Sequence, residues 1–236
     1  MLKKLAVAVV VLVVVLGAAF FWFVVRDDAP EELGVDSGSD STEPTGTAPE
    51  TFDGTWAVQA DGDTQAGFRI EEEFAGAVSH TAVGRSPEVT GDITIAGTEV
   101  TEGAFTVDLT ALEFTDEPPV GSAGNRAGAM ENQGLETSEF PEATFTLTAP
   151  IDIGELPGDG ETVVAEATGD LTLHGVTKEI TFSVDAKVSG DTIRVASTDP
   201  VPVVLADYEI EEPTAPIVAS VSEEGSFEFL LVFEQG

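Results

Sequence analysis

The chain contains no cysteine. This excludes a disulfide framework, a thiolate metal site and a thiol nucleophile. It also excludes attachment through a lipid-modified N-terminal cysteine, so any anchor must be made of peptide. Cations are the next shortage. Nine Lys and Arg stand against 44 Asp and Glu, a formal charge of −35. Phosphate backbones are gripped by clustered Lys and Arg, so this balance excludes nucleic acid as a partner. Beyond residue 26, only Arg69, Arg85, Arg126, Lys178, Lys187 and Arg194 face all 44 acids. Self-repulsion at low salt should therefore cost the fold stability, whether the cause is a high-salt habitat or a composition-biased genome.

The tools of catalysis are also few. Histidine occurs twice, as His80 and His174. His80 has no metal-ligating neighbours at a convincing spacing. His174 falls at a turn, where a structural or solvated role is expected. The run Glu71-Glu72-Glu73 lacks the alternating ligands and placed glycine of a calcium loop. No G-x-S-x-G, no Ser/His/Asp grouping and no Gly-rich phosphate loop occurs. No catalytic residue, metal ligand or cofactor is assigned, and the chain is not expected to be an enzyme.

What is present begins with one long apolar run. Leu5–Val25 is uncharged throughout. As a helix it would be about 31 Å long, one hydrocarbon core. Lys3 and Lys4 precede it, a single Arg26 follows, and Phe20, Phe21, Trp22 and Phe23 cluster at its far end. That pattern predicts a membrane anchor with the N-terminus inside. The alternative is a cleaved signal sequence. Its apolar core should run about 7–15 residues to a small-residue site at a polar boundary, but bulky residues separate Gly17-Ala18-Ala19 from the polar flank. Residues 1–26 are therefore expected to be a single-pass anchor in the cell membrane, with the remainder extracytoplasmic. Residues 27–50 are rich in Asp, Glu, Ser, Thr, Gly and Pro. Such a segment reads as a disordered acidic linker that cannot bury enough surface to order itself. Residues 51–236 then form one domain, without internal repeats.

Within that domain, apolar and polar residues alternate, the mark of half-buried strands. The clearest case is residues 169–184, GDLTLHGVTKEITFSV. Leu171 and Leu173 share one face of the first run, and Ile180, Phe182 and Val184 share one face of the second. His174 to Lys178 should form the connection, with Gly175 free to take positive φ. Further strands are expected at 55–58, 67–73, 89–95, 98–109, 112–115, 144–148, 162–173, 178–189, 192–196, 201–205 and 226–233. Residues 125–136 alone have helical character outside the anchor. These elements predict an all-β fold, an antiparallel barrel of about eight strands with a short helix.

The segment LTLHGVTKEITF, residues 171–182, resembles the strand-turn-strand signature of the YceI-like family of lipocalin-like polyisoprenoid-binding barrels. FPEATF, at Phe140, Pro141, Ala143 and Phe145, resembles its F-P-x-A-x-F segment. Trp56 resembles the family's opening Trp strand, and residues 207–213, DYEIEEP, its penultimate loop. Two departures stand out. Arg126 matches a common Arg-Asp pair, but the Asp is Ala127 here. After the F-x-I pattern of Phe68 and Ile70, where the best-known members carry a histidine, this chain has Glu71–Glu73. His80 comes later, so no histidine role is carried over. The resemblance implies an acidic, membrane-anchored member of the family that holds an isoprenoid chain along the barrel axis.

Candidate inward-facing, ligand-lining residues are Trp56, Phe68, Ile70, Phe105, Val107, Phe145, Leu171, Leu173, Phe182, Phe227 and Phe229. Alternation alone does not separate a cavity from a filled core. Two readings follow. One is an extracytoplasmic, membrane-anchored carrier of a polyisoprenoid lipid or isoprenoid quinone, with that lipid and the membrane as its partners. The other is a structural or protein-interaction surface domain with a filled barrel and no ligand. No particular protein partner is indicated.

Overall fold

The computed structural model describes residues 29–38, 51–60, 63–74, 78–119, 123–154, 157–216 and 218–236. The expected anchor, residues 5–25, lies outside them, as do residues 39–50 of the expected linker. Among the described residues, no helix is long and apolar enough to cross a membrane.

The described residues form thirteen strands in chain order: β1 (Gly54–Val58), β2 (Gln65–Phe74), β3 (Val78–Ser86), β4 (Val89–Ala96), β5 (Glu99–Asp108), β6 (Glu113–Phe114), β7 (Glu142–Leu147), β8 (Ile151–Asp152), β9 (Thr162–Leu173), β10 (Val176–Ser189), β11 (Thr192–Ser197), β12 (Val201–Val204) and β13 (Val218–Gln235). One short helix, α1 (Ala123–Ala129), runs on into a wider turn at Met130–Gly134. β1 pairs with β4 on one edge and with β13 on the other. The order β1-β4-β5-β7-β9-β10-β11-β13 therefore closes on itself as an antiparallel barrel of eight strands, and closure removes the free edges of an open sheet. β13 has 18 residues. That length lets it carry β2 beyond β1 on one side and β12 beyond β11 on the other. β3 and β6 extend the sheet from β2.

The hairpin β9–β10 is tighter than its sequence suggests. Leu173 pairs directly with Val176, so the loop is His174-Gly175 alone. Both residues have positive φ, 51° and 75°, the combination a type I′ turn requires. Gly175 meets a second demand: a Cβ there would lie 2.8 Å from the Phe140 ring. His174 accepts the left-handed backbone because its ring is buried between partners. Nδ1 is 3.2 Å from the Tyr208 carbonyl and Nε2 is 3.0 Å from Glu136 Oε2. β13 also begins earlier than expected. A register shift between Val221 and Gly225 breaks its alternation there, which hides that half from a period-two reading.

The linker expectation fails over residues 29–38, which lie against the outer wall of the barrel as a strap. Leu33 and Val35 are buried against Ala196 and Leu230. The backbone of the strap is held by arginines from three strands far apart in sequence. Arg69 Nη2 donates to the Pro30 carbonyl (2.9 Å), Arg85 Nη2 to that of Glu31 (2.6 Å), and Arg194 Nε to that of Val35 (2.8 Å). Lys187 Nζ reaches Asp36 at 2.7 Å. Under the strap, Glu228 has a fully buried side chain that accepts from Arg85 Nη2 at 2.7 Å and Nε at 3.0 Å. Arg69 lies 3.5 Å from the same carboxylate, and the Leu33 N–H donates to it at 3.2 Å. Two apolar side chains and a set of carbonyl acceptors suffice to order a segment whose composition reads as disordered. Fully burying each apolar side chain contributes about 1.5–3 kcal/mol. Removing residues 29–38 should accordingly cost about 3 kcal/mol or more in urea unfolding, relative to the chain that keeps them. An unchanged midpoint would mean the strap is not bound in solution.

Candidate functional site

Inside the barrel, alternation places one apolar side chain after another on the inner face of each strand. Register then aligns them into rows. Phe105 of β5 pairs with Phe145 of β7, which pairs with Leu171 of β9. Phe227 of β13 pairs with Phe68 of β2. Phe182 of β10 stands among Phe145, Phe227 and Phe229, with ring centroids 5.4, 5.5 and 6.0 Å away in edge-on contacts. Gly169 is bare because the Phe145 ring occupies the place of its missing side chain, 2.4 Å from where a Cβ would stand. Small residues occupy other inner positions: Gly103, Ala143, Ala165, Ala167 and Ala186.

Large rings alternating with small side chains leave a cavity of about 270 Å³. Trp56 is 0% exposed and Phe233 1%. By contrast, Phe105, Phe145, Phe182, Phe227 and Phe229 are only half-buried. An inward-pointing ring retains accessible surface only where it faces a void. The barrel is thus packed at the Trp56 end and hollow through its middle. Of the eleven candidate lining residues, Phe68, Ile70, Phe105, Val107, Phe145, Leu171, Leu173, Phe182, Phe227 and Phe229 border this cavity, and Trp56 does not. Trp56 belongs instead to the solid core with Val89, Ile93, Ile95 and Phe233. It stacks on Phe52 and donates its indole N–H to that residue's carbonyl at 2.8 Å. The sequence reading also missed Met130, Leu135, Leu205 and Ile210, which border the cavity at the α1 end. They come from a turn and from loops, where no periodicity marks which way a side chain points.

Beside the cavity lies a buried polar cluster. Arg126 Nη1 donates to Asp116 Oδ2 at 2.8 Å, and its Nε lies 3.1 Å from Glu72 Oε2. His80 Nε2 is 2.6 Å from Asp116 Oδ2, the Val83 N–H donates to Asp116 Oδ1 at 2.7 Å, and the guanidinium sits 4.4 Å over the Phe114 ring. Glu72 is the direct cross-strand partner of His80. The histidine that seemed displaced in sequence thus enters from the neighbouring strand, opposite the middle glutamate. The Glu71–Glu73 run does not converge on a cation, because Glu72 is buried while Glu71 and Glu73 are exposed.

The two carboxylates of the cluster titrate in opposite senses. Burial pushes the Asp116 carboxyl up, but hydrogen bonds from Arg126, the Val83 N–H and His80 outweigh it and hold it below the ordinary value. Burial pushes Glu72 up, and Arg126 only partly offsets the shift. Stability contributed by Asp116 is therefore present above the ordinary carboxylate range and lost as pH falls through its lowered pKa. The Glu72 contribution has the reverse sign and is lost as pH rises through its raised one. At neutral pH, Asp116→Asn should cost about 3 kcal/mol, and Glu72→Gln within about 1 kcal/mol of nothing. The Asp116→Asn deficit should shrink only below the ordinary carboxylate range, as pH falls through the lowered pKa of the wild-type carboxylate. Urea unfolding between acid and neutral pH reads both. A Glu72→Gln variant that is the weaker of the two at neutral pH would contradict this order.

Among the described residues, the closed antiparallel barrel surrounds an apolar cavity with no charged end facing inward, the architecture of the lipocalin-like class. Residues 56–233 match the model of the YceI-like domain, and the chain belongs to that family. Its barrel superimposes on a polyisoprenoid binding domain from Saccharophagus degradans with a TM-score of 0.56 at 22% identity, covering 78% of this chain and 99% of that one. It also superimposes on Burkholderia cenocepacia BcnA with a TM-score of 0.53 at 15% identity, covering 74% and 98%. At these identities the likeness is one of fold. Among curated relatives, a UPF0312 protein of Pseudomonas savastanoi pv. phaseolicola is 35% identical over 98 residues, 40% of this chain and 47% of the relative. One of Pseudomonas putida (strain W619) is 48% identical over 48 residues, 20% and 21%. The chain thus spans about a fifth to a half of the length of these curated relatives.

Proposed function

We propose that this protein holds a polyisoprenoid lipid or isoprenoid quinone in its barrel, on the outer side of a membrane in which residues 5–25 anchor it. The observation that carries the reading is the hollow middle of the barrel, whose wall rings stay half-exposed while the Trp56 end is solid. Family membership and the likeness to a polyisoprenoid binding domain support it. Burying an alkyl chain contributes about 0.8 kcal/mol per CH₂, so such a wall retains a long chain without a polar group to grip it. The strap adds a consequence for geometry. Its first described residue is Ala29, and the stretch from Val25 to Ala29 reaches about 14 Å at most. An anchor at residues 5–25 would therefore keep the barrel close to the bilayer from which its ligand comes.

Native mass spectrometry of the full chain, extracted in mild detergent, tests the reading. A bound species with the mass of an isoprenoid lipid is the expected result. A barrel that is empty after every extraction would favour the structural domain instead.

A further inference from the structure

We infer that the cavity selects isoprenoids with an uncharged head, such as a prenol or a quinone, and rejects polyprenyl phosphates and diphosphates carrying the same tail. This deepens the lipid-binding reading and rests on it. The argument starts from the wall. Among the described residues, Arg69 and Glu228 are its only charged members, and their charged ends pair with each other on the outer side, beneath the strap. An anionic head has no partner inside, and losing its water there without one is costly. The head must therefore sit at an end of the barrel.

Both ends are acidic. Where Met130, Leu205 and Ile210 border the cavity, Glu131, Glu209, Glu211 and Glu212 stand exposed in the same turn and loop. At the other end, which the Trp56 core closes, Val100, Ile151 and Ile153 border the cavity, and Glu99 and Asp152 are exposed and directly opposed across the β5–β8 ladder. Nor is a cation free to offset them. Every Lys and Arg of the described residues already pairs with a carboxylate, including Lys178 with Asp207 at 2.8 Å and Lys187 with Asp36 at 2.7 Å. A phosphate at either end faces like charge, a repulsion that reaches roughly 8 Å at physiological salt. A hydroxyl or quinone head meets no such penalty.

Geranylgeraniol and geranylgeranyl diphosphate have one tail and two heads. Their binding to the full chain in neutral detergent, at low and at about 1 M sodium chloride, tests the inference. The alcohol should bind at least about tenfold more tightly at low salt, and the gap should narrow to about threefold or less at high salt. Diphosphate binding as tight as the alcohol's at low salt would overturn the inference while leaving the lipid-binding reading intact. A gap that ignores salt would overturn its electrostatic basis. If neither compound binds, the lipid-binding reading itself fails. Neutralising one end at a time, with Glu209→Gln, Glu211→Gln and Glu212→Gln or with Glu99→Gln and Asp152→Asn, should raise diphosphate affinity at the end where the head emerges. No gain from either set would count against the charge account.

Discussion

Glu228→Ala should cost about 3–5 kcal/mol, the usual consequence of removing one partner from a buried ion pair. For a domain of this size that corresponds to a fall in melting temperature of roughly 6–20 °C. The reason is what remains behind. Without the carboxylate, the Arg69 and Arg85 guanidiniums stay pressed against one another's field under the strap, with the Pro30 and Glu31 carbonyls as their remaining acceptors. The strap loses its own tie at the Leu33 N–H. Glu228→Gln should fall between, since it keeps the acceptor oxygen and loses the charge. Replacing all three charged residues by methionine should recover much of the loss, because an apolar cluster of similar volume has no desolvation penalty to offset. Thermal unfolding of the four chains reads the series. A Glu228→Ala protein that melts with wild type would show that the buried pair contributes nothing.

Ala165→Phe should do two things at once: stabilise the empty barrel and abolish lipid retention. Ala165 faces inward on β9, opposite Val184, and borders the cavity. A ring added to a filled core forces its neighbours aside and costs about 1–3 kcal/mol. A ring added to a void buries new apolar surface, for a gain of about 1–2 kcal/mol, and occupies the ligand's place. Phe182→Ala is the complement. In a packed core the change costs about 3–5 kcal/mol. Here it should cost less, since one side of the ring already lacks neighbours to lose. Melting temperature and native mass of both variants decide the matter. Loss of stability in Ala165→Phe, with lipid still bound, would refute the cavity assignment.

The barrel was largely legible because period-two alternation is a direct imprint of strands with one dry face. The β9–β10 hairpin, the strand expected at 144–148 and ten inward-facing residues follow from it. The same imprint was silent on what filled the interior, since a void and a core present identical patterns. It also misplaced Trp56, whose alternation is that of the wall rings although its neighbours pack solidly. The strap left almost no trace. Leu33 and Val35 are its only buried apolar side chains among the described residues, and its other attachments are polar ones to residues far away in sequence: carbonyls met by arginines, the Leu33 N–H on Glu228 and Asp36 on Lys187. Glu228 was disguised as an ordinary outward acid in SFEFLLVF. Its burial depends on a covering segment almost two hundred positions upstream, a relation that no local pattern encodes.

The last strand also sets when the fold can exist. β13 pairs with β1, β2, β11 and β12, and its outer face receives the strap across a sequence separation of 195 residues. Contacts that join the two ends of a chain must overcome the entropy of closing the longest loops before they return any stability. A chain emerging N-terminus first therefore has no closed ring, no seat for its strap and no interior until the 18-residue β13 is free. Up to that moment β1 and β11 are open edges exposed to wrong partners. The barrel and its cavity then arise together, in one late event once β13 is free.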